Sequence, residues 1–146
     1  MKNVVVALGA FLAMSCGGSS ASPIEQFISA WQHRVDNFCS RCAATSGWTS
    51  EAHCRGNEGT ASALRGDLSA TERECMRAIY TDNSAVLDDV LLCYTRAFDQ
   101  YTACSATCPM GSDTCFSAYS TSDAACRDGA PTATLDSLTA CAPPAG

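Results

Sequence analysis

Eleven cysteines and two histidines are the residues of this 146-residue chain with the most chemistry to offer. Cys39-Ser40-Arg41-Cys42 has the two-residue gap of a redox pair, of a c-type haem attachment and of half a zinc site. Haem attachment needs His directly after the second Cys, and Ala43 stands there. A thioredoxin-type pair follows a strand, whereas this one closes an amphipathic helical pattern. Zinc could draw on Cys39, Cys42, His53 and Cys54. However, ligands at adjacent positions 53 and 54 would be strained, and an oxidising compartment turns such thiols into bridges. Structural disulfides are therefore the expected use, with no metal and no cofactor.

No other constellation points to catalysis. His33 belongs to the polar face of a helical segment, and neither Gly-x-Ser-x-Gly nor His-Glu-x-x-His occurs. Asp88 and Asp89 leave a helix in different directions and cannot form a carboxylate dyad; placed in the first turns of a helix, they complement its positive end. There is no EF-hand loop and no phosphate-cradling glycine loop. A net charge of −6 and a pI near 4.6 exclude a phosphate-neutralising surface, so nucleic acid is not an expected partner. The expectation is a protein that is not an enzyme.

The N-terminus carries an address. Lys2 precedes an apolar run from Val4 to Met14, the pattern of a secretory signal and too short to span a bilayer. Ser15-Cys16-Gly17-Gly18-Ser19-Ser20 follows. Small residues beside a Cys and then a Gly/Ser stretch resemble the lipobox and tether of bacterial lipoproteins, over residues 1–22 only. The third position before the Cys is Ala13, where the family favours Leu, and Leu12 stands one place earlier. The resemblance implies that residues 1–15 are removed and that Cys16 becomes the acylated N-terminus. It also implies attachment to a membrane of the bacterial cell envelope, the outer membrane being expected. The alternative is plain secretion after cleavage at Ser19-Ser20-Ala21. Both routes take Cys16 out of the disulfide pool and leave ten cysteines, an even number. From Cys16 onward there is no lysine, and eight Arg face fifteen acids, a net charge of −7.

Helix signals dominate the remainder. Ser22-Pro23-Ile24-Glu25 reads as a capping box with Pro at the first helical position. It opens an apolar stripe through Ile24, Phe27, Ile28, Trp31, Val35, Phe38, Cys39 and Cys42, predicting a helix over 23–45 with Gly47 as its stop. Residues 46–68 read as a glycine-interrupted connection pinned by Cys54, with helical hints near 49–54 and 60–65. Ser69 and Glu72 form a second capping box for a helix to Tyr80, and Asp82-Asn83-Ser84 caps a third to Ala106. A fourth helix runs from Ser112-Asp113 to Gly129, and a fifth occupies about 132–141. The predicted organisation is a signal peptide at 1–15, a lipidated tether at 16–22, one domain at 23–141 and a Pro/Ala tail at 142–146.

Cys93, Cys104, Cys115 and Cys126 are evenly spaced, with ten residues between neighbours. Eleven residues is close to three helical turns, a drift of only about 20° around the axis. Cys93 and Cys104 thus share a face of the third helix, as do Cys115 and Cys126 on the fourth. With the turn at Pro109-Met110-Gly111 midway, folding back brings Cys104 to Cys115 and Cys93 to Cys126. The pattern resembles the twin Cys-x9-Cys helical hairpins, which pair inner with inner and outer with outer. The predicted fold is an all-α, disulfide-stapled bundle around an antiparallel hairpin at about 84–128. For the rest, the expected pairs are Cys42–Cys54, Cys39–Cys75 and Cys108–Cys141. Tyr94, Phe98, Tyr101, Phe116 and Tyr119 read as an inter-helical core, or otherwise as an aromatic-rimmed groove. Trp48 is the candidate binding residue, either tucked over the first helix or shown to a protein partner. The expected function is a lipid-anchored, non-catalytic binding or structural module meeting a protein partner in the envelope. The alternative is a secreted or surface-held inhibitor or interaction effector binding a protein target.

Overall fold

The computed structural model describes residues 21–56, 66–105 and 113–142, all helix, turn or loop without strand. Five α-helices follow in order: α1 (Pro23–Cys42), α2 (Glu51–Gly56), α3 (Ala70–Cys104), α4 (Asp113–Arg127) and α5 (Thr132–Ala140). A single 3-10 turn, Ala44–Ser46, separates α1 from α2. The expectations on residues 1–20, 60–65, 109–111 and 143–146, and on Cys16 and Cys108, lie outside the described residues.

α1 buries one stripe, Ile24, Phe27, Ile28, Val35, Cys39 and Cys42, as its apolar spacing required. Its start differs from the expectation. Ser22 is the N-cap and Pro23 takes the first turn, yet the Ser22 side chain makes no capping hydrogen bond. Glu25 instead accepts two bonds from Arg77 of α3, at 2.6 and 3.0 Å. A guanidinium fork offers a carboxylate two charge-assisted bonds, more than one neutral backbone N–H can. At Ser69 the box does form, with the Ser69 hydroxyl accepting from Glu72 N–H and the Glu72 carboxylate accepting from Ser69 N–H.

The second and third predicted helices are one element, α3, bent at Asn83 (φ −132°, ψ 18°). The Asn83 side-chain amide donates to the Ile79 carbonyl, the oxygen its own backbone N–H would take in a regular helix. Tyr80 donates across the bend to Asp88 at 2.7 Å. The first part of α3 lies antiparallel to α1, because Gln32 reaches Asp67 while Glu25 reaches Arg77. α4 lies antiparallel along the second part. Ile24, Phe27, Met76, Leu87, Leu91, Phe98, Tyr119 and Leu138 form a single core cluster from α1, α3, α4 and α5.

Cysteine bridges fasten this arrangement. Cys93–Cys126 and Cys104–Cys115 join α3 to α4, the two pairs expected of the hairpin. The other three expected pairs are corrected. Cys54 bonds Cys39, not Cys42, because α2 doubles back along α1 and draws level with Cys39. Cys42 is disulfide-bonded as well, to none of these described partners. Cys75 bonds Cys141, so neither Cys39–Cys75 nor Cys108–Cys141 forms. The reason is the path of the last helix: Gly129 lies against Val90, and α5 continues past the bend towards Cys75 instead of doubling back along α4.

Three of the four described bridges are nested, Cys104–Cys115 within Cys93–Cys126 within Cys75–Cys141, which ranks them. Cys75–Cys141 spans 66 residues and Cys104–Cys115 spans 11. With the inner bridges intact, the outer loop is still about three times longer than the inner. Closing it therefore restricts the unfolded chain by about 1 kcal/mol more. Cys75→Ala/Cys141→Ala is expected to lower the urea-unfolding free energy by about 3–4 kcal/mol, and Cys104→Ala/Cys115→Ala by about 2–3 kcal/mol. The reverse order would show that the outer bridge restrains little.

Candidate functional site

The corner carrying Trp48 is built by a tight reversal at the end of α1. Gly47 adopts φ +84°, left-handed backbone that favours glycine, and the Trp48 N–H donates to the Ala43 carbonyl at 2.9 Å. Ser50 then caps α2, its hydroxyl accepting from the His53 N–H at 3.0 Å. The Trp48 ring is half-buried against Val35, Cys39, Ala43 and Cys54, a small apolar cluster distinct from the main core. The ring also meets His53 edge to face at 5.6 Å, and His53 Nδ1 and Thr49 Oγ1 share a hydrogen bond of 2.7 Å. Trp48 is thus a packed, half-buried residue beside the Cys39–Cys54 bridge.

On another side of α2, Arg55 gathers three carboxylates. It pairs with Asp36 of α1, with Glu51 at 2.8 Å and with Asp67 at 3.6 Å. The Asp67 N–H also donates to the Arg55 carbonyl, and the Trp31 indole N–H donates to Gly66. Together these contacts tie the chain leaving α2 to the chain entering α3. The three acids hold the Arg55 guanidinium well above its ordinary pKa, mainly through the bonds it donates to Asp36 and Glu51.

Between α1, α3 and α4 lies an aromatic seam with a cation inside it. Phe27, Trp31, Phe98, Tyr101 and Tyr119 are in ring contact, Phe98 stacking on Tyr119 at 5.8 Å. The Arg34 guanidinium lies 5.1 Å from the Trp31 ring centre and 5.2 Å from that of Phe98, and the residue is only 3% exposed. Burial pushes its pKa down to about 10, against the favourable influence of the Tyr119 and Tyr101 oxygens, so it is a cation at neutral pH. The sequence reading missed Arg34. The signal was its position: it falls between Trp31 and Val35 on the apolar stripe of α1, where a polar-face residue would not be.

The remaining sequence candidates are now placed. His33 is exposed on α1. Asp88 accepts from Tyr80 and raises that phenol's pKa, while Asp89 is exposed, so the two do not converge. Tyr94 is half-buried and Phe116 is 41% exposed on α4, so the core reading holds for Phe98, Tyr101 and Tyr119 but not for Phe116. A shallow, open depression on α4 is lined by Thr114, Ser117, Ala118 and Thr121, none of them ionisable. Among the described residues no group of three or more His, Cys, Asp or Glu could hold a metal ion, and no helix is long and apolar enough to cross a membrane. No family model, no curated protein and no solved structure matches the chain.

Two outcomes follow from this packing. Trp48→Ala is expected to lower unfolding stability by about 2 kcal/mol, less than the full cost of removing a buried ring, with Trp48→Phe retaining most of it. A urea midpoint unmoved by Trp48→Ala would mean that the ring contributes nothing to the fold. Burial raises the Tyr119 phenol to about 12 and raises Tyr94, while Asp88 raises Tyr80. Phenols held neutral in the fold contribute stability that is present below about pH 10 and lost as pH climbs through their folded values. Absorbance at 295 nm should therefore show late-ionising tyrosines, with stability declining above pH 10.

Proposed function

We propose that this is a lipid-anchored protein of the bacterial cell envelope, held through Cys16 in the outer membrane and acting as a non-catalytic binding or structural module. The supporting observation is the division of eleven cysteines into one beside a signal-like apolar run and ten in the remaining chain, nine of which are described and disulfide-bonded. Such a density of bridges is compatible with an exported protein.

The start of α1 favours Cys16 over Ala21 as the processed end. Cleavage after Ala21 would leave an α-ammonium on Ser22, at the positive end of the helix dipole, where a cation is disfavoured by about 0.3–1 kcal/mol. It would also remove the Ala21 carbonyl that accepts from the Gln26 side chain at 2.6 Å. Processing at Cys16 leaves both intact. The half-open Trp48 corner supports a binding role and would serve equally in a secreted effector, so location decides between the two readings.

Cells grown with radioactive palmitate should yield labelled protein in the envelope fraction, and Cys16→Ser should abolish the label. Unlabelled wild-type protein released into the medium would replace the anchored reading with the secreted one.

A further inference from the structure

We infer that the domain stands on the membrane on the N-terminal end of α1, with the Trp48 corner presented away from the lipid. This rests on the anchored reading above and adds an orientation to it. The chain is pinned to the fold at Ala21, whose carbonyl accepts from Gln26. Cys16 and Ala21 are five residues apart, a reach of at most about 18 Å for any conformation. The beginning of α1, and Arg77 paired there with Glu25, are therefore held close to the headgroups.

α1 carries the other end away. Cys39 lies sixteen residues beyond Pro23 on the same uninterrupted helix, about 24 Å along its axis, and its bridge to Cys54 places α2 and Trp48 at that far end. Nothing among the described residues would hold a flank of the domain flat on the bilayer. The two exposed large apolar side chains among the described residues, Val86 and Phe116, lie on different helices, α3 and α4. From Cys16 onward eight arginines face fifteen acids, so the domain's net charge of −7 disfavours its lying along anionic headgroups. The surface facing the lipid is thus the α1 start and its Arg77 neighbour. The surface open to other envelope components is the corner of Gly47, Trp48, Thr49 and His53.

The absence of lysine from the mature chain supplies the test. Ala78→Lys, exposed beside Arg77, and Ala52→Lys, exposed on α2, each introduce one side-chain amine for a donor dye, with the lysine-free parent as the labelling control. The lipidated proteins are reconstituted into phosphatidylethanolamine/phosphatidylglycerol vesicles carrying an acceptor-labelled lipid. Energy transfer is expected to be at least about twofold stronger from position 78 than from position 52, given a separation of roughly 24 Å along α1. Equal transfer from both positions, or stronger transfer from 52, overturns the orientation while leaving the anchor standing. A parent protein that does not sediment with the vesicles overturns the anchor, and the orientation with it.

Discussion

The guanidinium of Arg34, enclosed by the rings of Trp31 and Phe98, is the contact on which the assembly turns. It lies where α1 meets the α3–α4 hairpin. The aromatic seam of Phe27, Trp31, Phe98 and Tyr119 packs at this junction. A buried cation is costly unless its surroundings compensate. The faces of Trp31 on α1 and Phe98 on α3 supply part of that compensation, and both reach the guanidinium only when the two helices are in register. The seam therefore favours one docking position over others that would bury similar apolar area.

Among the described residues the ion pairs are built on arginine, and its geometry explains why. Arg55 holds Asp36, Glu51 and Asp67 at once, Arg77 clasps Glu25 through two bonds, and Arg127 pairs with Asp123 one turn earlier. A planar fork with five donors can bridge separate segments, whereas an ammonium acts as a point charge. The pairs that are exposed contribute little individually. Arg55 differs because its partners come from α1, α2 and the entry to α3, fixing the corner that Trp48 occupies.

The parts legible in the sequence were those governed by one helical period. The eleven-residue cysteine repeat placed Cys93, Cys104, Cys115 and Cys126 on facing stripes, and the Ser69–Glu72 box marked a helix start within four residues. What escaped depended on where a chain goes after it leaves a helix. Cys39 rather than Cys42 meets Cys54 because a 3-10 turn and a left-handed Gly47 send α2 back along α1. Cys141 meets Cys75 because α5 runs past the bend at Asn83. Glu25 had two available partners, and the one 52 residues away took it. The Trp48 corner was named from the sequence, but its half-burial came from that same reversal.

The nesting of the bridges also bears on what a protease could do to the chain. Every peptide bond between Cys75 and Cys141 lies inside the loop closed by that outermost bridge. Arg77, Arg96 and Arg127 are exposed, and with no lysine in this stretch they are its only sites for a trypsin-like enzyme. A cut at any one of them would open the chain without releasing a fragment. The two pieces would remain joined through sulfur, and the seam around Phe98 and Tyr119 would still be held in place by Cys93–Cys126 and Cys104–Cys115.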